Sequence, residues 1–155
     1  MARLQAFLDP FSQAQAAGYQ VVQSLIAFSN GGLLGAGVGS GRQKLFYLPE
    51  MHTDYIFSVI GEELGLIGAG IVLLLFCVIL WRGLRIALRA EGFSRMLALG
   101  ITSLICVQAL INMAVVTGMM PTKGIALPLV SYGGSALVVT LAAAGVLLNI
   151  SKECA

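Results

Sequence analysis

Glu50, His52 and Asp54 alternate at i, i+2 and i+4 within residues 42–57 of this 155-residue chain. In an extended segment all three side chains point one way; in a helix only Glu50 and Asp54 share a face. Pro49 biases Leu48 away from the α region, so no regular helix is expected to run into the triplet. Carboxylates and an imidazole offer proton transfer or a place for a cation. Asp54 is best placed for the first, because Tyr55, Ile56 and Phe57 follow it and surround a carboxylate with apolar bulk. Desolvation of that kind favours the protonated form and makes a carboxylate a better general base. His52 beside two carboxylates is a weak metal signature. Arg42 and Lys44 precede the triplet and suit a phosphate group, Arg through bidentate contact. Interfacial snorkelling explains these two cations equally well on spacing alone. A plain solvated loop with ordinary charges is the competing interpretation of the whole stretch.

The elements that must hold these residues belong to a membrane protein. Only 10% of residues are charged and 58% are hydrophobic, with a mean hydropathy of +0.92. Soluble domains carry about 25% charged residues, so this inventory cannot build a water-facing surface. The net charge of +2 and the lack of a basic, aromatic-interleaved cluster exclude nucleic acid as a partner. Cys77, Cys106 and Cys154 form no CxxC; two lie in apolar runs, where cysteine acts as a small hydrophobe. Met1 to Asp9 has no signal-peptide core.

Three uncharged runs are long enough to span: Leu64 to Trp81, Met96 to Thr122 and Gly124 to Ser151. A crossing helix needs about 20 mostly apolar residues. The expected architecture is therefore all-α and polytopic. Residues 1–63 form a large outer loop region and 64–155 a three-helix membrane region. The spans fall near 64–81, 96–118 and 128–150, with a link at 82–95. The first span is short, and Ile56 to Gly61 extends it if the helix runs through Glu62 and Glu63. The uncharged stretch Pro10 to Gly41 predicts a short interfacial helix instead. Val21, Val22, Leu25, Ile26 and Phe28 make its apolar face, with Gln20, Gln23 and Ser24 opposite, and a glycine loop follows. That loop carries neither GxGxxG nor GxxxxGK, so it does not read as a nucleotide site. The GxxxG pairs Gly31/Gly35, Gly37/Gly41 and Gly61/Gly65 permit close backbone approach, although 19 glycines produce such spacing readily by chance.

Arg82, Arg85, Arg89 and Arg95 lie between the first two spans against one acid, Glu91, and Lys152 ends up on the same side. By the positive-inside rule that side is cytoplasmic. Residues 1–63 and the link Met119 to Leu127 then face outward. Trp81, Tyr47 and Tyr55 suit interfacial anchoring. Three spans after an external segment imply an earlier helix, so the chain reads as the C-terminal part of a longer protein. Glu62 and Glu63 are expected to complement the dipole at the start of the first span. Gln108 and Asn112, four apart on the second, are expected to bond between helices. Lys123, in the Met119–Pro128 turn, is a candidate for lipid phosphate or a plain surface lysine. Ser131-Tyr132-Gly133-Gly134-Ser135 opens the last helix with small residues, which fits close packing or a re-entrant shape.

These segments resemble the SEDS family, the FtsW, RodA and SpoVE proteins of bacterial cell-wall synthesis. The resemblance rests on Leu-Pro-Glu-x-His-Thr-Asp, Gly-Glu-Glu-Leu-Gly and Pro-Thr-Lys-Gly-x-x-Leu-Pro-x-x-Ser-Tyr-Gly-Gly-Ser, and covers about Phe7 to Ser151. Arg42-Gln43-Lys44 and Thr122-Lys123-Gly124 look more like the division and sporulation branch, FtsW and SpoVE. Phe46 replaces an acid found in some division-type members, and Ala126 a common proline. The resemblance implies a peptidoglycan glycosyltransferase of the bacterial cytoplasmic membrane that polymerises lipid II and releases undecaprenyl pyrophosphate. It implies Asp54 as the catalytic base, with Arg42, Lys44, Glu50, His52 and Lys123 as substrate contacts. The leaving group needs positive charge, from those cations or from a divalent cation, Mg or Mn. Implied partners are a class B penicillin-binding protein (a transpeptidase), other divisome proteins and membrane lipid. The fragment alone is expected to be inactive. A lipid-linked precursor transporter, or flippase, and a non-catalytic divisome scaffold are the alternatives.

Overall fold

The computed structural model describes residues 19–37, 55–121 and 124–153. Every regular element among them is helical: α1 (Tyr19–Gly31), α2 (Ile56–Glu63), α3 (Gly65–Arg89), α4 (Gly92–Val116) and α5 (Gly134–Glu153). The last three are long and apolar enough to cross a membrane. Large side chains such as Leu66, Ile71 and Leu74 on α3, and Val138, Val139 and Leu141 on α5, stand exposed. That is what helices apolar all round present to hydrocarbon. α4 is the centre of the bundle: 44% of its membrane-length window is buried, against 17% in α3 and 11% in α5.

The first span does not run back through the acidic pair. The helix stops at Leu64 and restarts at Gly65, whose φ of +69° is a left-handed conformation. Ile56–Glu63 is therefore a separate two-turn helix. The basic stretch expected as a link is helical as well. α3 continues to Arg89, and only Ala90 and Glu91 separate it from α4, which opens on Gly92 at φ +55°. Arginine, leucine and alanine are good helix formers; leaving the hydrocarbon ended the apolar run without ending the helix. The third span begins at Gly134, six residues later than its composition indicated. Before it, Leu129 has φ +64°. The Ser131 hydroxyl accepts from Leu127 N–H at 2.7 Å, and Ser131 N–H donates back to the Leu127 carbonyl at 2.9 Å. These bonds close a turn that holds residues 127–131 out of helix.

Two buried clusters hold the helices. Tyr55, Phe57, Ala69, Phe76, Ile105, Ala109, Met113, Val116 and Leu127 form the larger. At the opposite end Ala87, Ala90, Ala98 and Ile150 bring together the end of α3, the start of α4 and the end of α5. Near that end Gly83 lies against Thr102, where a Cβ would overlap the threonine hydroxyl, so α3 and α4 pack almost backbone to side chain. Cys77 and Cys106 line an apolar groove between α3 and α4, in keeping with their expected role as small hydrophobes.

Candidate functional site

The sequence-predicted residues Arg42, Lys44, Glu50, His52, Asp54 and Lys123 all lie outside the described residues. What is described is the frame that flanks them. Tyr55, the residue after Asp54, is 4% exposed and caps the start of α2; its carbonyl accepts from the Ser58 hydroxyl at 2.7 Å. Tyr55 shares the larger core cluster with Leu127, four residues after Lys123. The end of the long loop and the beginning of the segment into α5 are thus bound into one core.

α1 docks on α2 rather than standing apart. Phe28 and Phe57 pair with ring centroids 5.6 Å apart at 57°, a tilted geometry that the aromatic quadrupole favours. Gly61 sits under the Phe28 ring, where a Cβ would overlap it, and a Cβ on Gly31 would overlap the Gly61 carbonyl oxygen. Ser24, expected on the polar side, is fully buried. Its hydroxyl stands 2.8 Å from both the Val21 and Val116 carbonyls and, with one proton, donates to either. That link to the end of α4 outweighs the simple polar-out pattern, and Ile26 turns outward instead.

Beyond α1 the chain and the α2–α3 break cap each other. Ala36 N–H donates to the Glu62 carbonyl at 2.9 Å and Gly37 N–H to the Glu63 carbonyl at 3.1 Å. In return, Leu66 N–H donates to the Gly32 carbonyl at 2.9 Å and Ile67 N–H to the Leu33 carbonyl at 3.4 Å. Helix ends leave four N–H and four C=O groups without intrahelical partners. Here the orphan carbonyls of α2 and the orphan amides of α3 find theirs in the loop after α1. Gly35 and Gly65, both with positive φ, meet at the centre; a Cβ on Gly65 would overlap the Gly35 nitrogen. Of the GxxxG pairs, Gly31/Gly35 and Gly61/Gly65 therefore face each other across one junction. Gly41 lies outside the described residues.

The acidic pair sits at this junction. Glu62 is only 2% exposed and Glu63 is half-buried. Because α2 ends at Glu63, the pair lies at a helix C-terminus, where the dipole disfavours negative charge. The same pair directly precedes the N-cap of α3, Leu64, so it also lies at the start of the first span, as expected. Of the two, it is Glu62 that is buried. Adjacent residues differ by about 100° on a helix, but only the break at Leu64 decides which of the two turns inward.

Gln108 and Asn112, expected to bond between helices, reach the segment that precedes α5. Gln108 Nε2 donates to the Ala126 carbonyl at 3.1 Å, and Asn112 Nδ2 to the Ile125 carbonyl at 2.6 Å. Irregular backbone inside a membrane protein needs such partners, and α4 supplies them to the non-helical segment 124–127. Among the described residues no group of three His, Cys, Asp or Glu comes together for a metal.

A family model for the FtsW/RodA/SpoVE group, described as "Cell cycle protein", matches residues 1–155. The chain belongs to the FtsW/RodA/SpoVE family. It is 57% identical over 152 residues to a protein of Geobacter sulfurreducens named "Probable peptidoglycan glycosyltransferase FtsW", covering 97% of this chain and 41% of that protein. It is 52% identical over 151 residues to "Stage V sporulation protein E" of Bacillus subtilis, covering 97% and 41%. A chain from a solved structure titled "Structural coordination of polymerization and crosslinking by a peptidoglycan synthase complex" superposes with a TM-score of 0.73 and 33% identity. It covers 97% of this chain and 41% of that one. The chain therefore spans about two fifths of the length of these FtsW/RodA/SpoVE relatives. With three helices long and apolar enough to cross a bilayer it is an integral membrane protein, and the FtsW and SpoVE names agree with the branch that the Arg-Gln-Lys and Thr-Lys-Gly motifs indicated.

Proposed function

We propose that this chain is part of a peptidoglycan glycosyltransferase that polymerises lipid II at the outer face of the bacterial cytoplasmic membrane during division or sporulation. Asp54 takes the proton from the acceptor sugar hydroxyl as that oxygen attacks the donor's anomeric carbon. The bond to the lipid pyrophosphate breaks, and undecaprenyl pyrophosphate leaves with the bonding electron pair. Arg42, Lys44 and Lys123 neutralise that pyrophosphate, while Glu50 and His52 orient the sugars. If a divalent cation binds beside Glu50, His52 and Asp54, it supplies further charge to the leaving group. The membrane partner is a class B penicillin-binding protein, together with other divisome proteins. Residues 1–63 lie outside the membrane and the C-terminus in the cytoplasm.

The observation that carries this proposal is the common core of Tyr55 and Leu127. It ties Tyr55, the residue after Asp54, to Leu127, four residues after Lys123, and so supports a site that draws on both segments. Membership of a family whose relatives are named glycosyltransferases supplies the reaction. The test is Asp54→Asn in the full-length protein, assayed for glycan polymerisation from lipid II with its transpeptidase partner. A general base contributes about 10²- to 10⁴-fold, so a loss of at least ~100-fold at unchanged melting temperature is expected. Retained polymerisation sinks the role of Asp54 and returns the scaffold or transporter alternatives to the front.

A further inference from the structure

The end of the bundle where α3 gives way to α4 carries the most charge among the described residues. Arg82, Arg85 and Arg89 lie at i, i+3 and i+7 on α3 and share one stripe. Gly83, which packs on Thr102, and Ala87, buried with Ala98, lie on the other side of that helix. The stripe therefore points away from α4. All three arginines are exposed, and none forms an ion pair with a described residue. Arg95 and Lys152, also exposed, add two cations at this end, against the carboxylates of Glu91 and Glu153.

Two of these guanidiniums lie over the Trp81 ring. The Arg85 guanidinium carbon is 4.0 Å from the ring centroid and that of Arg82 is 5.8 Å away. A guanidinium over an indole face is attracted by the ring, and arginine's N–H fork suits bidentate contact with a phosphate. Depth fits the same partner. With a rise of 1.5 Å per residue, Arg82 stands about 25 Å and Arg89 about 36 Å along α3 from Gly65. A bilayer's hydrocarbon core is about 30 Å thick. The stripe thus straddles the boundary where lipid phosphates lie, with the indole at the level that tryptophan favours.

We infer that the Trp81–Arg82–Arg85–Arg89 stripe binds the phosphodiester headgroup of an anionic phospholipid, with Arg85, held over Trp81, as its central contact. Charge complementarity and depth select lipid over a protein segment. The stripe is distinct from the proposed glycosyltransferase site, so either can fail without the other.

The test titrates the full-length protein in detergent micelles with phosphatidylglycerol, counts bound lipid by native mass spectrometry, and takes phosphatidylcholine as the reference. Each basic residue near an anionic surface is worth about fivefold. Replacing all three arginines with glutamine should weaken phosphatidylglycerol about 100-fold and leave phosphatidylcholine unchanged. The triple lysine variant keeps the charge, and so the membrane orientation, but loses stacking and bidentate geometry; about a tenfold loss is expected. Trp81→Leu should cost about fivefold. If the glutamine variant fails to insert, the lysine and Trp81→Leu variants decide. Unchanged phosphatidylglycerol affinity in these variants overturns the site. Displacement of the lipid by equimolar inorganic phosphate assigns the stripe to a free anion, and failure of every form to prefer phosphatidylglycerol assigns it to a protein segment; both outcomes overturn the inference.

Discussion

Replacing Gly35 with alanine tests the junction on which the outer segments depend. Gly35 has φ +82°, and its added Cβ would overlap the Glu63 carbonyl oxygen and stand 2.6 Å from Glu63 C and 2.7 Å from Leu64 C. Two costs follow. A left-handed alanine costs about 1–2 kcal/mol. Carbon atoms sit comfortably at about 3.5–4.0 Å, so the loop must also retreat by about 1 Å. That shift stretches the Ala36–Glu62 bond of 2.9 Å and the Gly37–Glu63 bond of 3.1 Å to about 4 Å, beyond hydrogen-bond range. Two lost bonds contribute about 1–3 kcal/mol. The expected total is about 2–5 kcal/mol, a large part of a typical stability of about 5–15 kcal/mol. Gly32→Ala is the control. Gly32 also has positive φ, +53°, but nothing lies within 4 Å of its Cβ position, so only the conformational cost of about 1–2 kcal/mol applies. Reversible unfolding of the full-length protein in mixed micelles should separate the two variants by about 2 kcal/mol. Hydrogen exchange in Gly35→Ala should rise at residues 31–37 and 62–67 first. Equal stability of the two variants, within about 0.5 kcal/mol, refutes the interlock as a stabilising device.

Two further outcomes are expected. Asn112→Leu removes the bond to the Ile125 carbonyl; a loss of about 1 kcal/mol should appear with faster hydrogen exchange across residues 124–131 while α3 is unchanged. Exchange confined to α4 counts against the amide as the holder of that segment. In a background without native cysteines, a cysteine replacing His52 should react with a membrane-impermeant maleimide from outside the cell, and one replacing Glu91 only after permeabilisation. The reverse pattern inverts the proposed orientation.

The apolar runs by themselves determined that the fold is helical and that three helices cross a membrane, because an 18- to 20-residue uncharged stretch has little other stable state than a spanning helix. The motifs around Asp54 and Pro121-Thr122-Lys123-Gly124 led to the family, since local motifs need no neighbours to be recognised. Helix ends were not legible in the same way. Charge at Arg82 marked the edge of hydrocarbon and not the end of α3, and the apolar residues 128–133 looked helical until Ser131 and Leu127 closed their turn. Whether Glu62 or Glu63 turned inward, and which side of α1 held Ser24, also needed the tertiary structure. The turn at 127–131 closes through local bonds, whereas α1 and the α2–α3 break are set by hydrogen bonds between residues far apart in sequence, such as Ser24 to Val116 and Ala36 to Glu62. Glycine spacing advertised that close approach was possible; only the packed helices decided that Gly31, Gly35, Gly61 and Gly65 would meet.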